Sequence, residues 1–449
     1  MKAAVEVARL AKSRVLYRSP RRVYPVAAQA AGMTITDTAG RHYLDMSGGA
    51  AVSSVGHAHP AVISALQQQL QALAYAHTAF FTNEPQEQLA SRLCDRFGDP
   101  DARVYFLSGG SEANETALKL AWQYWAARGR PGKKIIISRE HSYHGNTFGA
   151  LSASGNEQRR RASAAPLVEW PRIPPCYEYR ERGGDESSES YARRAASYLE
   201  EAITAAGSEH IAAFIAEPIV GSSLGVVPAA AGYFRRVREI CDRHEVLLIA
   251  DEVMCGSGRS GRYFAFEHEP VRPDIVTLAK GIGGGYQPLA AAILSATVAG
   301  VLEQSGFAHG HTYIGHPVAC AAGLAIQDVI DDEELLPKAR KLGAVLADML
   351  QQSLGRHAHV GDIRCRGLFA GIELVSDRDT RSGFENAGDI AERLRQAAME
   401  QCLICYPSSI LLDGKTVPHV MLAPPLIARE ADLEEGVARL ARSIDQVLP

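Results

Sequence analysis

The sequence predicts an α/β protein built on a largely parallel sheet, and three observations predict it. Five short apolar runs recur along the middle of the chain: RVYFL at 103–107, KIIIS at 134–138, IAAFIA at 211–216, VLLIA at 246–250 and DIVTLA at 274–279. Helix-like sequence follows them, the rhythm of a sheet whose parallel strands are covered on both faces. Directly after three of the runs stand Glu217, Asp251 and Lys280, at the strand ends where open parallel sheets hold their ligands.

Taken in order, the stretch MKAAVEVARLAKSRVLYR has Lys2, Arg9 and Lys12, but Glu6 breaks any apolar core, so it lacks the centre of a secretory signal and export is not expected. MTITDTAGRHYLDM reads as strand, turn, strand, with Gly40 in the turn. After RVYFL comes Ser108-Gly109-Gly110-Ser111, then Ala113, Thr116, Ala117, Leu120, Ala121 and Tyr124 at the spacing of one helix face. Asn156 to Arg194 is polar and charged and is expected to be loop-rich, with Arg159, Arg160 and Arg161 and the later GGDESSES as solvated surface. Gly281 to Leu302 carries no charge, yet it opens GIGGG and contains Tyr286, Gln287 and Pro288, so a loop and a buried strand are expected rather than a membrane span. Beyond Ile330, helices are expected at Glu334 to Leu354 and Asp389 to Cys402, strands at Leu368 to Leu374 and Val420 to Ala423, and a last helix from Ala431. The domain expectation is an N-terminal segment, 1–60, joining a small α+β domain, a large domain at 61–328, and the rest of the small domain at 329–449.

The 449 residues include 47 Lys plus Arg against 51 Asp plus Glu, with 46% apolar and 22% charged, which fits an ordinary globular chain. Disorder, collagen and a polybasic nucleic-acid arm are excluded by that balance. Eight scattered cysteines make neither a disulfide framework nor a zinc module, so a reducing compartment, the cytoplasm, is expected. Cys402 and Cys405 form a lone CxxC on an expected strand with no second pair, and Cys255 reads as packing, so no metal is expected.

The chemistry lies in the strand ends. A lysine leaving an apolar strand is desolvated, which lowers its pKa and frees the amine for covalent work on a carbonyl. A buried aspartate suits a pyridine nitrogen, and strand-SGGS-helix offers N–H groups and a helix dipole to a phosphate. Together these describe pyridoxal phosphate. Ser108 to Ser111 is not GxGxxG, and GIGGG follows Lys280 instead of opening a helix, so a nicotinamide dehydrogenase fits poorly.

From about Tyr24 onward the chain resembles the class III aminotransferases, of the aspartate-aminotransferase superfamily. The resemblance is carried by EP, DEV, GRSG and AKG in order across residues 211–294, and by FLSGGSEANETALKLA, SYHGNTFGALSASG, HGHTYIGHPVACAAGLA and LDMSGGAAVSSVGHAHPAV. It implies the pyridoxal-phosphate fold type I, a mostly parallel seven-stranded sheet between helices plus a small α+β domain from both termini. It also implies roles. Lys280 is then the internal aldimine and proton shuttle, Asp251 the partner of the pyridine nitrogen, and Val253 and Tyr143 the two faces of the ring's sandwich. Gly110 and Ser111 hold the phosphate, Thr312 of GHTY reaches it from the neighbouring subunit of a homodimer, and Glu217 supports the site beside Tyr143. His144 of the same YHG joins the cofactor site, with a satisfied structural histidine as its other reading.

Departures from the family pattern bear on substrate. Met254 follows DEV where many relatives have Gln, and Tyr406 stands where amine:pyruvate relatives often have a mobile Arg, in a longer loop. A substrate carboxylate then falls to Lys415, to Arg366, or to a residue of Asn156 to Arg194. Phe80, Phe81 and Tyr406 are candidate pocket walls. The implied activity is transfer of an amino group from an ω-amino acid or non-α amine to a keto acid, pyruvate by resemblance. A racemase, aminomutase, decarboxylase or phospho-lyase of the same family is the alternative. A non-enzymatic binder is disfavoured because Lys280 and Asp251 are both present.

Overall fold

The computed structural model describes residues 13–19, 22–385, 389–412 and 414–449. The first twelve residues, on which the export expectation turns, lie outside them.

IAAFIA becomes the strand Ile211–Ala216, with all six residues buried. Successive strand residues point to opposite faces, so a run that is apolar throughout requires cover on both sides. Phe214 and Ala216 pack with Leu199, Tyr233 and Val237 on one side, while Ala213 and Ile215 pack with Ala117, Leu120 and Ala121 on the other. The sheet has seven strands, in the order Arg103–Leu107, Ala290–Leu294, Ile275–Leu278, Leu247–Asp251, Ile211–Ala216, Ile135–Arg139, Arg172–Ile173. Only Ala290–Leu294 runs antiparallel to its neighbours. The fold is therefore α/β with a mostly parallel seven-stranded sheet, as expected.

Three central strands are adjacent and parallel, with Ala250 level with Ala216 and Asp251 level with Thr277. That register delivers Glu217, Asp251 and Lys280 to one edge. Elsewhere the chain forms an antiparallel sheet of Val360–Cys365, Ala370–Leu374, Lys415–Leu422 and Tyr406–Leu412. The helices Leu335–Leu354, Ile390–Glu400 and Glu430–Val447 contribute to one apolar cluster with it. Near the N-terminus, Thr34–Asp37 and His42–Asp45 pair as antiparallel strands, and His42–Asp45 also pairs in parallel with Leu403–Ile404.

Two expectations are corrected. The stretch around Tyr406 is a hairpin strand, not a loop. Pro407 and two serines hide it in the sequence, but it is the sheet's edge strand, where a missing N–H is tolerated. The polar segment from Asn156 holds two short helices, Glu157–Arg161 and Glu178–Glu181, and the start of the long helix Ser188–Ala206. Ser187 of GGDESSES accepts from Ser190 N and caps that helix. Arg160 is only 3% exposed, its guanidinium donating to the carbonyls of Leu151, Ser152 and Ser154 and to Glu169.

Candidate active site

A cavity of about 470 Å³ opens at the carboxyl ends of the central strands. Lys280 enters it two residues beyond Ile275–Leu278, with φ at +50°. A side chain other than glycine costs roughly 1 kcal/mol in that left-handed region, and such strain is typical of functional positions. Burial lowers the Lys280 amine below the ordinary lysine value, against the opposing pull of Asp251.

Asp251 ends the neighbouring strand and is 2% exposed. Its Oδ1 accepts from Val253 N at 3.0 Å, and its Oδ2 accepts from Asn114 Nδ2 at 2.7 Å and faces His144 Nδ1 at 2.8 Å. Asn114 is itself fixed, donating to the His144 carbonyl at 2.6 Å and accepting from Thr277 Oγ1 at 2.7 Å. The strand on the other side supplies Glu217, whose Oε1 accepts from Tyr143 N at 3.0 Å and whose Oε2 lies 3.5 Å from the Arg139 guanidinium. Burial lowers the His144 pKa, but Glu217 and Asp251 outweigh it, so the net direction is upward.

Opposite lies the start of Gly110–Ala127, an 18-residue helix. A Cβ on Gly110 would sit 2.7 Å from Val253 Cγ1, so only glycine lets the helix terminus close on that wall. Gly145, at φ +143°, approaches equally closely: its Cβ would lie 2.7 Å from Ser111 Cα. Asn146 N donates to Ser111 Oγ at 3.1 Å and sets that hydroxyl at the helix start.

The class III aminotransferase family model matches residues 17–444. The chain belongs to the class III aminotransferases. It is 32% identical to a putrescine–pyruvate aminotransferase of Pseudomonas aeruginosa, over 94% of this chain and 90% of that one. Among solved structures, an (S)-enantioselective ω-transaminase of Thermomicrobium roseum matches with a TM-score of 0.92 and 33% identity, covering 100% of this chain and 99% of that one. An amine transaminase from an uncultivated Pseudomonas species, solved with pyridoxal phosphate bound, matches at 0.90 and 36% identity, with coverages of 96% and 97%.

Class III aminotransferases depend on pyridoxal phosphate, and the cavity of this aminotransferase fits that group. Asp251 uses three of the roughly four acceptor sites of a carboxylate. Among the described residues, Glu217 Oε2 and His144 Nε2 are buried without a hydrogen-bond partner and lie 4.0 Å from each other. The start of the helix, Gly109 to Ser111, lines the space and has no side-chain cap, and a helix start of that kind suits a phosphate.

Gly110, Ser111, Tyr143, His144, Glu217, Asp251, Val253 and Lys280 all line this one cavity. Thr312 does not; it is exposed, and its carbonyl accepts from Tyr75 Oη. Phe80, Phe81 and Tyr406 are not among the lining residues, and the first two are 80% and 67% exposed. Arg366 and Lys415 line two other cavities. Sequence reasoning missed Asn114, although a polar side chain beside Ala113 and Ala117 on an apolar helix face was a usable signal. Met254 lines the cavity wall against Gly221, close to Ser222 and Ser223.

Proposed function

We propose that this aminotransferase moves an amino group from an ω-amino acid or non-α amine to a keto acid, with pyruvate as acceptor and Lys280 as the catalytic amine. One observation carries the reading: a lysine of lowered basicity shares a cavity with a buried, fully oriented aspartate one strand away. Pyridoxal phosphate, when bound, supplies the electron sink for the carbon that bears the transferred nitrogen.

This chain's residues do the rest. Asp251, held by Val253, Asn114 and His144, keeps a proton on the pyridine nitrogen. Gly110 and Ser111 would hold the phosphate, and Val253 and Tyr143 would offer the ring an aliphatic and an aromatic wall. Glu217 holds the Tyr143 backbone through Oε1, while its Oε2 lies between the Arg139 guanidinium and His144. With the cofactor in place, Lys280 would be the residue that holds it at rest, and its buried Nζ, of lowered basicity, would be the group that carries the proton of the transfer.

Thr312 completes the phosphate site of a second copy in a homodimer. Its exposure supports this, as does exposed Tyr313 beside it, packed edge-on against Tyr75. Burial or partial burial of eight free cysteines supports a reducing compartment, the cytoplasm. Among the described residues, no helix is long and apolar enough to cross a membrane.

The test is the visible spectrum of the cofactor-loaded protein with single amine donors and no keto acid, then with pyruvate. The expected result is conversion to the pyridoxamine form by a non-α amine and recovery on adding pyruvate, with alanine formed in equal amount. Product accumulating with no acceptor consumed would replace transfer by racemisation, mutation, decarboxylation or elimination.

A further inference from the structure

A keto acid brings a carboxylate, and a carboxylate entering a partly dehydrated cavity needs a cation. Among the described residues lining the cavity, Lys280 is the only lysine or arginine, and it is committed to the nitrogen. Arg366 and Lys415 line other cavities.

Arg159 is placed differently. Its guanidinium carbon lies 4.5 Å from the centroid of the Tyr143 ring, which is part of the cavity wall. Its charge also reaches Lys280, acting with burial to lower the amine's pKa. Stacking engages the face of a guanidinium and leaves its in-plane N–H donors free for a carboxylate. Among the described residues, no carboxylate or carbonyl accepts from the Arg159 guanidinium. Its neighbour is saturated instead: Arg160 is tied to three carbonyls and Glu169, which fixes the short helix Glu157–Arg161 and hence the point from which Arg159 departs.

We propose that Arg159 is the carboxylate anchor of this cavity, pairing its N–H fork with the keto acid and with the carboxylate of an ω-amino acid donor while it stacks on Tyr143. The assignment rests on the transaminase reading and deepens it. Because Arg159 is exposed and bound to no acid among the described residues, it can leave the stack at little cost when a donor without a carboxylate arrives. One cavity then serves both substrate types, and selectivity among acceptors follows the carboxylate.

The experiment compares wild type, Arg159→Gln and Arg159→Lys as cofactor-loaded protein. Calorimetry measures binding of propionate and of its neutral counterpart propionamide, and kinetics compares pyruvate with propanal as acceptor against one carboxylate-free amine. The expected result for Arg159→Gln is propionate binding weakened and the pyruvate KM raised, each about 10- to 100-fold, with propionamide and propanal shifted less than about threefold. Arg159→Lys should recover part of the loss. Equal propionate affinity in wild type and Arg159→Gln, or a parallel loss with both acceptors, would overturn the anchor and leave Arg159 as a support for Tyr143. A wild type that binds propionate through Arg159 yet transfers no amine would uphold the anchor and refute the transaminase reading.

Discussion

Lys133 and Lys280 are both lysines whose basicity burial depresses, yet their surroundings give them different work. Lys133, lowered to about 8, donates to the carbonyls of Ser208, Ile211 and Glu245 and lies 4.3 Å from the Trp125 ring centroid. All three of its N–H groups are spent on structure. Lys280 faces an open cavity and a carboxylate instead. Glu252, beside Asp251, yields a pH prediction. It is 1% exposed, accepts from the backbone N–H groups of Ala265 and Phe266, and burial raises it to about 7. With the folded value above the unfolded one, its proton is bound more tightly in the native state. Its contribution is complete below about 4.5 and is lost as pH rises through about 7, some 3 kcal/mol in all. Urea midpoints at pH 5, 6.5 and 8 should therefore fall more steeply for wild type than for Glu252→Gln; parallel slopes would refute the assignment. At this scale the charged strand-end residues were legible because polar groups after apolar runs stand out. Asn114 was not, since a neutral amide leaves no charge signal and its value depends on Asp251, 137 positions away.

Among the elements, the all-apolar strands were the easiest to read, because burial on both sheet faces leaves no polar position to blur them. The edge strand Tyr406–Leu412 was missed for the opposite reason: one flank is unpaired, so Pro and Ser are allowed in it. The helix Glu157–Arg161 was hidden by its own charge, since three consecutive arginines look solvated until the three carbonyls around Arg160 are in place. Arg160→Ala strips those carbonyls of their donor. It should cost about 2–4 kcal/mol in denaturant unfolding and weaken propionate binding by releasing the helix that carries Arg159. A loss below about 0.5 kcal/mol with propionate binding intact would show that the helix is held by other contacts.

Across the whole molecule, the cavity draws on chain segments from Val52 to Leu289, brought together by the crossover order of the sheet. Motif order and spacing made the family and its cofactor legible in the sequence, because every segment of the cofactor cradle is locally constrained. Substrate recognition was less legible. Arg159 matters through its distance to Tyr143, and Tyr406, Arg366 and Lys415, all plausible by position, lie away from the cavity wall. Thr312 and the exposed Tyr313 beside it lie off the cavity wall of this chain; the proposed homodimer would give them a role that the single chain does not.

The most direct test of the central claim is reduction of the cofactor-loaded protein with borohydride, followed by peptide mapping. The pyridoxyl group should be found on Lys280 alone, at about one per chain, and labelling should be blocked by prior conversion to the pyridoxamine form. A label on Lys133 or any other lysine, with Lys280 unmodified, would contradict the assignment of the cavity.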